Sequence, residues 1–541
     1  MKRMMKYVGV LLAGALMLTA CSEDYLETSS SNSLSDDVLS TDVSYYGNYI
    51  NGLSLLMVYP QGNYGQGYCG MCDVLTDIGN SCGNDWSGET YGGFNSANMK
   101  LMTANNAAYA GYAWWFLYQI IGQANRILAG IDVAEGDEDL RAFYKAQALT
   151  YRAYCYTYLA QIFGKRWMDD QGASNCCVLR LTNSLDNMPL STTADVLAQV
   201  YQDCDDAIAL YGESGKSASA FYHPSLNMAY GVKARAAAVR EDWTTAATYS
   251  AKAYEGVSLM SASEFQAGFH TANPEWIFGG YADEVENMWY YTFGCYHAYN
   301  GYYSAAGGYN VLGNRELVDA LNDTDARKQL FMCASLVGYD YDEVVANGGI
   351  TSYAWANPST AEGKALSNAL LSYAFSVPGV YANIVLTQAY PVRPAIYGQL
   401  KFGATGMPGI SQMCWMRASE FYLLQAEALC KQANPDYATA QNLLYTVNSR
   451  LDSSYEKSTK TGQALIDEIM FYRRAELWGE GHDWFDLKRT GASISRKSYR
   501  NGQGGTFGIN FAVTVGPNDE GTNDWVWTIP LNETQYNDLI E

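Results

Sequence analysis

Two small-residue runs at 226–256 constrain the fold of this 541-residue chain more than any other feature. Leu226 to Arg240 carries Ala229, Ala234, Ala236, Ala237 and Ala238, and Thr244 to Gly256 carries a second alanine-rich run. Glu241-Asp242-Trp243 lies between them as a turn. Alanine is the best helix former, and small side chains at helical spacing let two helices approach closely. The runs therefore predict a helical hairpin. Glu138 to Phe163 with Thr192 to Tyr211, and Ala418 to Lys431 with Tyr437 to Arg450, read as two more. The expected fold is mainly α. A helical-pair scaffold covers about 108–257 and 415–490, and an irregular, loop-rich insert carries short strands. No Pro- or charge-rich linker separates the ends, so 41–541 reads as a single domain.

A second constraint is Phe471-Tyr-Arg-Arg-Ala-Glu-Leu-Trp-Gly-Glu-Gly-His-Asp-Trp-Phe-Asp-Leu-Lys-Arg489. Leu465, Ile466, Ile469, Met470 and Leu477 recur at three- and four-residue spacing, so a helix runs into it. Arg473 and Glu476 are expected to pair on one helical face. Gly479 and Gly481 then stop the helix, and an aromatic-acidic turn is expected to follow. Paired charge among Trp and Phe suits a partly buried junction. Arg473, Arg474, Glu476, Glu480, Asp486 and Arg489 are therefore read as a structural lock and not as a site.

The stretch resembles the C-terminal signature of the SusD/RagB family, which runs roughly Arg-Arg-x-Glu-Leu-x-x-Glu-Gly, an aromatic, then Asp-Leu-x-Arg. Leu477, Gly481, Trp484 and Leu487 fill its remaining places. Trp415 to Ala428 resembles the family's Arg-x-x-Glu-x-x-Leu-x-x-Ala-Glu-Ala helix. Ile529-Pro530 with Glu533 and Asn537 resembles its end. Trp114 to Leu128, with Tyr118, Ile121, Ala124 and Asn125, is similar to its first long helix, and Ala148 to Gly164 and Thr192 to Leu210 also fit. Order is preserved over nearly the whole chain, with a loose match at about 260–410. The resemblance implies a SusD-like fold whose helical pairs are tetratricopeptide-like. It implies an outer-membrane lipoprotein that captures nutrients, mostly glycans, for a SusC-like TonB-dependent transporter. It also implies a non-catalytic protein whose ligand site lies on loops and varies with the glycan.

Residues 1–20 read as a lipoprotein signal peptide. Lys2, Arg3 and Lys6 open it, and Val8 to Ala20 is an apolar run short for a bilayer span. Leu18-Thr-Ala-Cys21 resembles a lipobox, so Cys21 is the expected lipidation site, with 21–40 as a flexible tether. Ser22-Glu23-Asp24 resembles the surface-export signal of lipoproteins in the phylum that carries the family. The expected location is the outer membrane, lipid-anchored and surface-exposed. Losing residues 1–20 removes those three cations and takes the formal net charge from −22 to −25. Such a chain is not built for nucleic acid or anionic membrane surfaces.

Lipidation of Cys21 leaves eleven of the twelve Cys, an odd number for a complete disulfide framework. Cys69-x-x-Cys72 with Cys82, and the adjacent Cys176-Cys177, lack a nearby His to complete a zinc site. No metal or cofactor is expected. Structural calcium stays open, because its oxygen ligands come from scattered Asp, Asn and carbonyls.

Forty-five Tyr and thirteen Trp are a heavy aromatic load. Many fall in Gly- and Asn-rich stretches, about 59–95 and 260–410, with the composition of loops. A loop exposes much of its surface, so these rings need a reason other than core packing. Sugars stack their C–H faces on rings while their hydroxyls pair with Asp, Asn, Gln and Arg, which suits the usual make-up of a binding site. Asn84, Asp85 and Trp86 combine both parts. Tyr68, Trp289, Tyr296, Tyr302 and Trp355 are further ligand-binding candidates, and Arg393, Asp42 and Asp73 complete the polar shell. Within the insert, Glu275 to Tyr281 reads as a short strand and Glu316 to Leu330 as a short helix ending in Asp325-x-Arg327.

There is no Gly-x-Ser-x-Gly elbow, phosphate loop or dinucleotide fingerprint. Counting does not decide against a glycosidase pair among 56 acids. The expected function is oligosaccharide or polysaccharide binding with a transporter, without catalysis. The alternatives are the same lid architecture capturing peptides and, less favoured, a surface glycoside hydrolase.

Overall fold

The computed structural model describes residues 41–58, 60–61, 68–69, 84–86, 105, 108–283, 293–302, 312–351, 355–387, 392, 394–407, 409–496, 513–520 and 523–540. The main helices are α1 (Tyr46–Val58), α2 (Ala108–Ile131), α3 (Glu138–Phe163), α4 (Thr193–Ser214), α5 (Leu226–Val239) and α6 (Trp243–Ala253). After the insert's first part come α7 (Ala361–Ser376), α8 (Pro378–Thr387), α9 (Ala418–Lys431), α10 (Tyr437–Ser449), α11 (Gly462–Glu476) and α12 (Asp483–Thr490). The strands are short and pair two by two. Those that matter here are β1 (Asn84–Trp86), β2 (Trp276–Gly280), β3 (Leu312–Gly313) and β4 (Met413–Arg417), with β1 against β3 and β2 against β4, both antiparallel.

Local chemistry sets the helix starts. The side chains of Asp137, Thr192, Ser225, Asp242 and Asp436 accept from backbone N–H groups of the first turns of α3, α4, α5, α6 and α10, at 3.0–3.2 Å. The helices then pack in series, α2 on α3, α3 on α4, α4 on α5 and α5 on α6. Next, α6 packs directly on α9, which carries α10 and α11. The scaffold is thus continuous in space although the insert interrupts it in sequence. Ala237, Ala246, Ala247 and Ala428 form the seam where the two halves meet, all buried. A larger side chain there would hold the helices apart, which is why the alanines matter.

The insert holds more helix than its composition suggested. Thr360 caps α7 by accepting from Gly363 N at 3.0 Å, and Leu366, Leu370 and Ala374 bury one face at four-residue spacing. By contrast, the helix expected over 316–330 is broken. A helical turn runs Arg315–Asp319 and a 3-10 turn Lys328–Leu330. Asn322 and Thr324 bond the Asp452 carboxylate at 2.8 and 2.6 Å, and Asp325 accepts from the backbone N–H of Arg327 at 2.8 Å. Such side chains compete with helical hydrogen bonding.

The residues after α11 also differ from the expected turn. Gly479 and Gly481, at φ +78° and +86°, do turn the chain, but α12 follows at once. Arg473 and Glu476 do not pair with each other either. Three positions along a helix rotate two side chains about 60° apart, enough to meet different neighbours.

Among the described residues, no helix is long and apolar enough to cross a membrane. The eight cysteines described with side chains are in no disulfide and are buried, and the Cys176 thiol donates a hydrogen bond to the Cys177 sulfur at 3.7 Å.

Candidate functional site

The signature residues build a buried ion-pair network around Arg417, the last residue of β4. Its Nε and Nη2 donate to Glu480 at 2.7 and 2.9 Å. Its Nη1 donates to Glu275 and Glu476, both at 2.8 Å. Arg327 and Arg450 also face Glu476, and the Lys401 ammonium donates to Glu480 at 2.6 Å. Burial alone would raise the Glu476 carboxyl, but Arg450, Arg417 and Arg327 outweigh it and hold it well below the usual carboxylate range.

A neighbouring cluster joins α9, α11 and α12. Arg489 grips Glu427 through bonds of 2.7 and 2.6 Å, and Arg473 donates to Asp486 at 2.7 Å and to the Glu420 carbonyl at 2.9 Å. Arg235 holds the Glu420 carboxylate in a fork, both bonds 2.7 Å. Besides a hollow of about 470 Å³ lined by Ile466, Phe471, Arg474 and Leu487, the cluster borders a void lined by Tyr158, Glu420 and His482 that measures about 40 Å³. That is room for water and not for a sugar or peptide.

A cleft of another kind opens along α1. It measures about 360 Å³ and is lined by Asn51, Ser54, Leu55, Val58, Tyr222 and Tyr281. The Tyr222 and Tyr281 rings lie 5.2 Å apart, tilted by 50°. Ser54 ties the wall together, bonding the Tyr222 carbonyl and the Tyr151 hydroxyl, each at 2.8 Å. Asn51 Oδ1, on an exposed residue, meets His223 Nε2 at 2.8 Å, a contact that does not use the amide N–H₂. Burial lowers the His223 pKa and so favours the neutral ring. The Tyr281 hydroxyl donates to Asp283 at 2.7 Å. Gly280 allows this geometry, because a Cβ there would come within 2.7 Å of Val58 and 2.8 Å of Trp415. The cleft thus combines an aromatic wall with an amide and a hydroxyl, the equipment for stacking a flat apolar face and pairing its hydroxyls.

Residues 398–541 match the family model described as "SusD family", and residues 69–237 match one described as "Starch-binding associating with outer membrane". The fold superposes on a SusD-like carbohydrate binding protein from Bacteroides vulgatus with a TM-score of 0.69, at 20% identity, over 92% of this chain and 97% of that one. The chain belongs to the SusD/RagB family. SusD superfamily proteins from Bacteroides thetaiotaomicron and Bacteroides fragilis share the fold too, each with a TM-score of 0.66, at 17% and 19% identity, over 93% of this chain and 99% of theirs. Among curated proteins, none matches the sequence.

The sequence candidates fall in different places on this SusD/RagB fold. Asn84, Asp85 and Trp86 form β1, whose register sets Asn84 opposite Gly313 and Trp86 opposite Leu312, and Tyr68 pairs with Gln61 in another short ladder. The side chains of these four lie outside the described residues, as do Asp73, Trp289 and Arg393 altogether. Tyr296 and Tyr302 are half-buried, in and just after the short helix Phe293–His297. Trp355 packs half-buried against the core, with its backbone bridged to Ala395. Asp42 is a cap: its carboxylate accepts from Ser44 N at 2.8 Å, at the opposite end of α1 from Val58. Among the described residues no group of His, Cys, Asp and Glu is placed to hold a metal ion. Sequence reasoning missed Asn51, Ser54, Tyr222, His223 and Tyr281. The available signals were a charge-free α1 with Asn51-Gly52 on it, and Phe221-Tyr222-His223 between two hairpins.

Proposed function

We propose that this chain is a cell-surface glycan-binding lipoprotein that works with a SusC-like TonB-dependent transporter in polysaccharide uptake. The observation that carries the reading is the cleft in which Tyr222 and Tyr281 stand beside Asn51 and Ser54. Relatives agree with it, since one matching model is described as starch-binding and outer-membrane-associated, and one similar structure as carbohydrate binding. The protein acts by binding and breaks no bond. A glycan stacks on the tyrosines and pairs its hydroxyls with Asn51. Lipid on Cys21 and the tether to residue 40 keep the lid near its barrel at high effective concentration.

Affinity electrophoresis of the mature chain in gels containing single polysaccharides, beside a reducing-end assay, tests this. Retardation by a polysaccharide without new reducing ends is the expected result. Binding confined to oligopeptides would overturn the glycan reading, and release of reducing ends would overturn the non-catalytic one.

A further inference from the structure

We infer that the α1 cleft takes neutral glycans and rejects those carrying uronate or sulfate. This rests on the glycan reading and narrows it to a chemical class. All thirteen residues of α1 are uncharged. The polar groups lining the cleft are an amide, a hydroxyl and two phenols, and no Lys or Arg lines it among the described residues. Arg126, the cation over Tyr49 at 6.0 Å, lies on another side of α1. Tyr49 and Asn51 are turned roughly 160° apart on a helix of 3.6 residues per turn. His223 is already bonded to Asn51, and its burial disfavours the charged ring.

The Tyr281 hydroxyl donates to a carboxylate, that of Asp283, so a negative charge stands behind this wall.

A carboxylate or sulfate is bound well by an Arg fork or a Lys ammonium and less well by neutral donors. Desolvating one here would leave it uncompensated and beside like charge, both unfavourable. A net charge of −22 also repels a polyanion before contact. A sugar hydroxyl is donor and acceptor at once, so it suits amide, phenol and serine groups equally well.

The test uses the mature chain in affinity gels. Soluble starch, xyloglucan, galactomannan and levan serve as neutral probes, and polygalacturonate, alginate and chondroitin sulfate as anionic ones, at low and high ionic strength. At least one neutral probe is expected to bind with little salt dependence, and every anionic probe to bind at least ~10-fold more weakly at low salt. Leu55→Arg places a cation at the exposed cleft edge and is expected to raise polygalacturonate affinity ~10-fold. Anionic binding that is strong in the wild type and lost in Tyr281→Ala overturns the inference and leaves the glycan reading standing. Binding of no glycan in either class overturns the glycan reading itself.

Discussion

Arg417 and Glu476 are joined twice: Nη1 donates to the carboxylate at 2.8 Å and Nη2 to the main-chain carbonyl at 2.8 Å. One guanidinium thereby grips both the side chain and the C-terminal end of α11. Arg417 also ends β4, where it lies opposite Trp276 of β2, and Tyr281 follows β2 directly. The lock and the cleft are therefore two ends of one ladder. The lock fixes β2, and β2 places Tyr281 against α1.

Arg417→Met is expected to lose ~3–5 kcal/mol of stability, since Glu275, Glu476 and Glu480 would lose a shared partner inside the core. Denaturant melts of the two proteins check this. A variant as stable as wild type would mean that the network contributes little to the fold.

Arg474 provides the contrast within the same signature. It pairs with Asp483 at 2.7 Å, but its side chain is 28% exposed. Arg474→Ala is expected to cost no more than ~1 kcal/mol, the scale of a solvent-screened pair. A loss as large as that of Arg417→Met would show that exposure does not rank these pairs.

His482 makes stability depend on pH. Burial pushes its pKa down to about 4, against the pull of Glu420. Unfolded, it titrates near ~6.5, so between these values the unfolded chain binds the extra proton. Stability from this group is full above ~6.5 and falls as pH drops toward 4, by about 2–3 kcal/mol. The buried carboxylates lose stability in the same direction, so the variant isolates the histidine. His482→Gln should show a shallower loss of stability than wild type between pH 6.5 and 4.5. Parallel curves would contradict the assignment.

The scaffold was legible because its signals are local. Alanine runs, a cap at Asp242 and a turn at Glu241 all lie within one hairpin. α7 and α8 had such signals too, with Leu366, Leu370 and Ala374 at four-residue spacing behind Thr360, but the Gly- and Tyr-rich stretch before them drew the reading toward loop. The lock was legible as a motif and not as a geometry. Glu476 meets Arg417, Arg327 and Arg450 from other elements, and the local partner Arg473 turns away to Asp486. The cleft was not legible at all, because Ser54 and Tyr222 meet across 168 positions and only the packing of α1 on β2 and the Tyr222 segment joins them.

The proposed lipid anchor rests on the lipobox-like Leu18 to Cys21. Cys21→Ala is expected to leave a folded protein that partitions into the soluble fraction of cells, because a tethered chain without its lipid has lost the acyl contribution to membrane binding. Membrane fractions washed at high salt and probed for the protein check this. Retention of the variant there would place the anchor elsewhere.

The central claim is that Tyr281 and Tyr222 form a glycan-stacking wall. Calorimetric titration of Tyr281→Ala with the neutral oligosaccharide that wild type binds, beside a thermal melt, tests it most directly. Affinity is expected to fall by ~1.5–3 kcal/mol, tenfold or more, as for a central aromatic anchor, with the melting temperature nearly unchanged. Wild-type affinity in a variant that melts normally would contradict it.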